Sequence, residues 1–299
     1  MTMRLPSILA LPIALMPLAA LPVPALAQQG AGEAQLVEPA GRLAEAAPEL
    51  RALFEAMGLY TILEVMATEG LAAGPDLQAD MFPGQGGSAW PAVVAGIYSV
   101  ERMVATFEEA VPLDRLTPEM VAELQAFYDS DLGRRVAAGE IAARQAFLEP
   151  GVEEAATELA RTRAAEGAPR IALLTEFIAV NDLVERNVSG ALNSNFAFYR
   201  GLSEGGAFEA EIPEELMLAE VWGQEPEIRT DTTDWLFAYQ TLAYEDLTDA
   251  EMATYTAMSA TPAGQTLNAI LFEGFDVLFE EISHDLGRAA AGFIAGEDT

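Results

Sequence analysis

From Glu49 onward the apolar residues recur at spacings of three and four, with abundant Ala, Leu, Glu and Arg and no alternating β-branched runs. That period belongs to amphipathic helices and not to strands. Breakers fall in clusters: Gly74-Pro75, Pro83 to Gly87, Pro150-Gly151, Gly167 to Pro169, Gly205-Gly206 and Gly223 to Pro226. They are expected to divide the chain into helices of ordinary length. The fold class expected is all-α, two tandem helical repeats packed as a pseudo-symmetric helical bundle.

The repeat shows as a weak internal match. Leu53 to Leu59, with Ile62-Leu63-Glu64 and Leu71, aligns 121 residues later with Leu174 to Val180, Leu183-Val184-Glu185 and Leu192. The segment 116–136 aligns without gaps with 247–267, an offset of 131. The larger second offset implies an insertion, placed near 203–231, where EIPEELMLAE reads as one added helix.

Matched punctuation gives the second alignment a physical basis. Thr117 and Thr248 suit helix N-caps, where a hydroxyl accepts from free amides of the first turn. Thr248 with Glu251 spells a capping box, and Leu116/Val121 and Leu247/Met252 suit hydrophobic staples. Each helix then meets a second cap signal, Ser130-Asp131-Leu132-Gly133 or Thr261-Pro262-Ala263-Gly264. A glycine in the first turn disfavours helix by about 1 kcal/mol relative to Ala. Gly133 and Gly264 are therefore expected where another backbone comes too close for a Cβ. The expectation is a helix, a sharp corner and a second helix, twice.

At these corners the chain resembles the DUF2059 family of exported bacterial proteins, whose hallmark is an amphipathic helix entering an "FY-S-P-x-G" corner. Phe127-Tyr128-Asp129-Ser130-Asp131-Leu132-Gly133 keeps that pattern with Asp131 in place of proline. Thr261-Pro262-Ala263-Gly264 keeps the corner but has Met258-Ser259 in place of the aromatic pair. The resemblance covers 49–150 well and 171–290 more loosely. It implies an all-helical exported domain in two copies and carries over no catalytic residue.

The expected organisation is a signal peptide (1–27), a loose mature N-terminus (28–48), a first repeat (49–150), a linker or connecting helix (151–170) and a second repeat (171–299). Residues 1–27 carry Arg4, an apolar run and the small-x-small site Ala25-Leu26-Ala27 before Gln28. Prolines 12, 17, 22 and 24 would interrupt a spanning helix, which favours a cleaved leader over an anchor. The expected location is the periplasm, with no stable membrane anchor.

All 15 basic residues are arginine, against 47 acids, one His and no Cys. Lysine Schiff bases, thiol nucleophiles, disulfides and multi-histidine metal cages are thereby excluded. The formal charge of −32 becomes −33 without residues 1–27, a field that repels nucleic acid and anionic lipid. Its simplest role is solubility; its sharper one is attraction of cations or basic partners.

The candidate chemistry is sparse. Glu64 and Glu185 occupy matching positions in apolar helical stretches. If both faced one interior they would form a coupled pair with a raised pKa; otherwise each is a solvated or arginine-paired surface group. His284 with Asp285 could be a base and its orienter, but neighbours on a helix point about 100° apart, and no G-x-S-x-G elbow exists. A surface or capping histidine is the simpler reading. Asp76 and Asp80 bracket a turn without a calcium-loop pattern, and the glycines of 84–90 lack a following GK[ST]. No metal and no cofactor is therefore expected. Arg134-Arg135 either receive an anion or pair with nearby acids. The stripe Leu267, Ile270, Leu271, Phe275, Leu278, Phe279 and Ile282 is core, or else lines a groove for an apolar tail or partner helix.

The function that fits best is a non-enzymatic periplasmic protein binding an envelope partner or an apolar small molecule. The alternatives are a carboxylate-based hydrolase or isomerase, and a structural or chaperone-like envelope protein.

Overall fold

A computed structural model describes residues 41–208, 210 and 212–296. The expected leader 1–27, its expected junction at Ala27-Gln28 and residues 28–40 lie outside the described residues. Every regular element among the described residues is helical, and no strand occurs among them. In chain order they are α1 (Arg42–Ala46), α2 (Pro48–Ala56), α3 (Leu59–Met81), α4 (Ala89–Ile97), α5 (Val100–Ala110), α6 (Pro118–Tyr128) and α7 (Asp131–Ala146). Then follow α8 (Val152–Ala165), α9 (Pro169–Val180), α10 (Leu183–Glu204), α11 (Glu214–Gly223), α12 (Glu225–Ala243), α13 (Asp249–Ser259) and α14 (Pro262–Ile294).

The two corners are alike in detail. Thr117 caps α6 and Thr248 caps α13, the latter with a complete capping box to Glu251. Ser130 and Thr261 cap α7 and α14 by accepting from the amides of Gly133 (3.0 Å) and Gly264 (3.1 Å). A Cβ on Gly133 would fall 2.1 Å from the carbonyl oxygen of Phe127, and one on Gly264 would fall 2.4 Å from that of Met258. The second helix of each corner thus starts against the last turn of the first, at a separation only glycine tolerates. Pro262 fills the first turn of α14, where its missing amide costs no hydrogen bond.

Each corner sends its second helix across the midpoint of the chain, although α14 also runs along α10, its most extensive partner. α14 carries Leu267, Ile270, Leu278, Ile282 and Phe293 into the core built by α1–α6. There Phe293 stacks on Phe82 with ring centroids 5.2 Å apart, and Phe275 lies 4.9 Å from Phe107. Conversely α7 places Val136 and Ala143 among Leu174 and Phe177 of α9, the end of α12, and Met252 and Tyr255 of α13. The cores are shared across the midpoint of the chain, so the divisions 49–150 and 171–299 do not mark separately packed units. The segment 151–170 is mostly α8, which lies against α12.

Two sequence expectations are corrected, and one alternative is closed in favour of the core reading of the α14 stripe. Gly74-Pro75 does not break a helix: α3 runs through Pro75. The indole of Trp90, itself fully buried, donates to the Gly74 carbonyl at 2.7 Å, anchoring that turn from α4. The stretch 28–48 is not loose at its end, because α1 is docked by Leu43, which is fully buried. The Leu43 amide donates to the carboxylate of Glu108, a fully buried acid on α5, at 3.0 Å. A buried carboxylate demands such donors, and Tyr60 supplies another at 2.8 Å. Finally, the apolar stripe of α14 lines no groove. Leu267, Ile270, Leu278 and Ile282 are each at most 3% exposed, with Leu271, Phe275 and Phe279 packed against the same core.

Candidate functional site

The acid pair that the sequence allows is not assembled; the surface reading offered beside it holds. Glu64 is exposed on α3. Glu185 is exposed on α10 and paired with Arg229 of α12, its Oε2 accepting from Nη2 at 2.8 Å. That guanidinium holds the Glu185 carboxyl below its ordinary value. Both carboxylates are therefore surface groups without a common interior.

The remaining candidates also resolve into ordinary contacts. His284 Nε2 lies 2.8 Å from Glu204 Oε2 on α10, while its Nδ1 is 3.5 Å from Asp285 Oδ1. Asp285 in turn pairs with Arg102. Arg135 pairs with Asp131 at 3.1 Å and with Glu251, and Arg134 donates to the Asp129 carbonyl. Asp76 and Asp80 are exposed. No group of three or more His, Cys, Asp or Glu able to hold a metal ion occurs among the described residues.

The densest buried polar cluster was missed by sequence reasoning. Glu140 of α7 accepts from Tyr244 at 2.7 Å and from Tyr255 at 3.1 Å, and its backbone carbonyl accepts from Tyr239 at 2.9 Å. Tyr128 pairs with Tyr255, so four of the seven tyrosines converge here. Glu140 as a residue is half-buried, but its carboxyl lies deep among these rings. Burial pushes that carboxyl above its ordinary value, and the two tyrosine hydrogen bonds pull the other way. Burial likewise raises all four phenols. A carboxyl of this kind can hold or release a proton. Here the phenols of Tyr244 and Tyr255 are committed to Glu140, and their geometry ties α7 to α12 and α13. No periodicity announces such a cluster, because its members come from four helices or their ends.

The surface that stands out is α11. Its inner side puts Met217 and Val221, four residues apart, into a cluster with Val188, Ala191 and Leu192 of α10 and Ile228 of α12. The end of α11 is pinned to α10 by Asn195 Nδ2, which donates to Gln224 Oε1 at 3.0 Å. The outer side is apolar too: Leu216 is 58% exposed, Leu218 36% and Trp222 63%. Leu218 and Trp222 share one flank and Leu216 lies on the other, with exposed Ala219 between them. A helix with large apolar residues on both its inner and its outer side cannot bury them all against one neighbour. Exposed tryptophan is uncommon on a surface with no partner, and clustered large apolar groups mark contact sites. Acids rim the patch: Glu214, Glu215, Glu220 and, just beyond, Glu225 and Glu227. The sequence places an added helix here, and the apolar residues on both its sides are legible in LMLAEVW.

No helix among the described residues is long and apolar enough to cross a membrane. No family model, curated protein or solved structure matches the chain.

Proposed function

We propose that this is a non-enzymatic, exported binding protein of the cell envelope, and that the outer face of α11 captures a helical partner with an apolar stripe flanked by basic residues. The observation that carries the proposal is the exposure of Leu216, Leu218 and Trp222 on a helix already anchored through Met217 and Val221. The acidic rim, in a chain of net charge −32 with no lysine, selects the partner's sign. The same charge disfavours a second copy of this chain and an anionic lipid surface. The partner is a protein in preference to an apolar small molecule, since the apolar stripe of α14 is consumed by the core.

Export is part of the proposal and rests on the leader-like residues 1–27 with their junction at Ala27-Gln28. So is descent from a duplicated DUF2059-like unit. The equal placement of caps and close approaches around Gly133 and Gly264 supports two related, pseudo-symmetric halves. The carboxylate-enzyme alternative gains nothing from Glu64 and Glu185, which stand exposed.

The test is a titration with a synthetic amphipathic helix carrying lysine flanks, read by calorimetry, with the tryptophan emission of the unsubstituted chain as a second readout. We expect saturable binding with a blue shift, and a loss of at least about tenfold in affinity for Trp222→Ala, as for an aromatic anchor. Equal binding of a glutamate-flanked peptide, or unchanged binding by the variant, would overturn the proposal. So would concentration-dependent self-association that buries Trp222, since the occupant would then be a second copy.

A further inference from the structure

Around Glu140 the fold gathers oxidisable rings as well as polar groups. Trp235 of α12 is half-buried and so within reach of solvent. Tyr239, one turn further on, stacks on it with ring centroids 4.9 Å apart and planes within 6° of parallel. The Tyr239 hydroxyl donates to the Glu140 carbonyl, and the Tyr244 hydroxyl donates to the carboxyl of the same residue. Tyr244 and Tyr255 follow with centroids 5.8 Å apart, and both are buried. A run of indole and phenol thus leads from the surface to a shielded phenol that is hydrogen-bonded to an acid.

Each part of that run has a chemical consequence. With no Cys in the chain, indole and phenol are among the groups that give up an electron most readily. A phenol that loses an electron becomes a strong acid, so its oxidation is easiest where a proton acceptor already touches the hydroxyl. Glu140 Oε1 is that acceptor for Tyr244, at 2.7 Å. Burial raises the Glu140 carboxyl, and the hydrogen bonds from Tyr244 and Tyr255 pull it back toward the ionised form that can take the proton. Burial of Tyr244 also keeps an oxidised ring from coupling with a second radical in solution.

We propose that this cluster is a one-electron relay, which draws oxidising equivalents in through Trp235 and holds them as a neutral radical on Tyr244. A diffusible oxidant such as a hydroxyl or carbonate radical takes one electron from the Trp235 ring and is itself reduced. One electron then passes from Tyr244 by way of Tyr239 and restores Trp235. The Tyr244 O–H bond breaks in the same event, and its proton moves to Glu140 Oε1. The products are a neutral indole, a neutral phenoxyl radical and a protonated carboxyl. Tyr60 supplies an internal contrast: it also donates to a buried acid, Glu108 at 2.8 Å, but lies beside Arg51 instead of an indole.

The test is flash photolysis of the full chain with a ruthenium tris-bipyridine sensitiser and persulfate as electron acceptor, read by transient absorbance and by EPR of the frozen sample. A neutral tyrosyl spectrum is expected. Tyr244→Phe should abolish or reshape it, because the hyperfine pattern reports the ring that holds the radical, and Tyr60→Phe should leave it unchanged. Glu140→Gln should slow its formation about a hundredfold, as for loss of a positioned proton acceptor. Trp235→Phe should lose most of the signal while leaving the hydrogen bonds to Glu140 in place, so it keeps the test decisive should Glu140→Gln fail to fold. Absence of a tyrosyl signal from the folded chain would overturn the inference. A spectrum unmoved in Tyr244→Phe or lost in Tyr60→Phe, or formation unmoved in Glu140→Gln or Trp235→Phe, would do the same. Because the readout is a radical in the core and not capture by α11, failure here leaves the partner proposal to its own test.

Discussion

The Tyr244 hydroxyl donates to Glu140 Oε1 at 2.7 Å, joining the end of α12 to the middle of α7. Tyr255 reaches the same oxygen from α13 at 3.1 Å. One acid on α7 therefore fastens two elements more than a hundred positions further along the chain. Tyr244→Phe and Tyr255→Phe should each destabilise by about 1–2 kcal/mol, the range for a hydrogen bond to a charged or buried partner. Because both act on one carboxyl, their effects should not add. A double-mutant cycle in urea unfolding should show an interaction of at least about 0.5 kcal/mol.

Stability should fall as pH rises from acid toward neutrality. Burial raises Glu153 from its ordinary 4.5 to about 7, with Glu154 and Glu69 adding to the rise and Arg144 opposing it. Burial raises Glu140 in the same direction. The folded protein thus holds these protons to higher pH than the unfolded chain does. Their contribution is fully present below pH 4.5 and is lost as pH climbs through about 7. Glu153→Gln should flatten the dependence of Tm on pH across that window, raising Tm on the alkaline side and leaving it unchanged on the acid side.

An opposite limb belongs to Glu251. Its hydrogen bonds from Arg135, then from the Thr248 backbone and hydroxyl, hold the carboxyl down at about 2. That contribution is present above the ordinary value of 4.5 and disappears as pH falls through about 2. Acid unfolding of Glu251→Gln should lose this component between those limits. Thr248→Ala, which removes the cap itself, should cost about 1 kcal/mol at neutral pH by thermal or urea unfolding.

Gly133→Ala and Gly264→Ala should be among the most destabilising small substitutions in the chain. Each new Cβ would meet a backbone carbonyl, at 2.1 Å from Phe127 and 2.4 Å from Met258, and backbone cannot rotate aside. Losses of about 2–4 kcal/mol are expected from overpacking together with displacement of the corner. The neighbouring Ala263→Gly, which adds no atoms, should cost about 1–2 kcal/mol, from helix propensity and the loss of one buried methyl. Urea midpoints for the three variants check the order.

The legible parts of this fold were the local ones. Thr117, Ser130, Thr248 and Thr261 could be read as caps because a cap is satisfied within four residues of itself, and Gly133 and Gly264 because an unfavourable residue in a first turn needs a reason. Pro75 misled because whether a helix survives a proline depends on what packs against it, here Trp90. The destinations of α7 and α14 were invisible: each stripe is apolar and helical whichever neighbour it meets. The Glu140 cluster was hidden for the same cause, since its members draw meaning from proximity. In α11 the signal is present, as apolar residues on both sides of a segment that also carries Glu214, Glu215 and Glu220, but only burial on one side distinguishes a docking face from a core helix.

The partner proposal is tested most directly by placing a photo-crosslinking phenylalanine analogue at position 222 in living cells, with position 71 as control, since Leu71 is also exposed at 45%. The account predicts a dominant adduct to one basic envelope protein from position 222 and none from position 71. No adduct from position 222, or the same adducts from both positions, would contradict it.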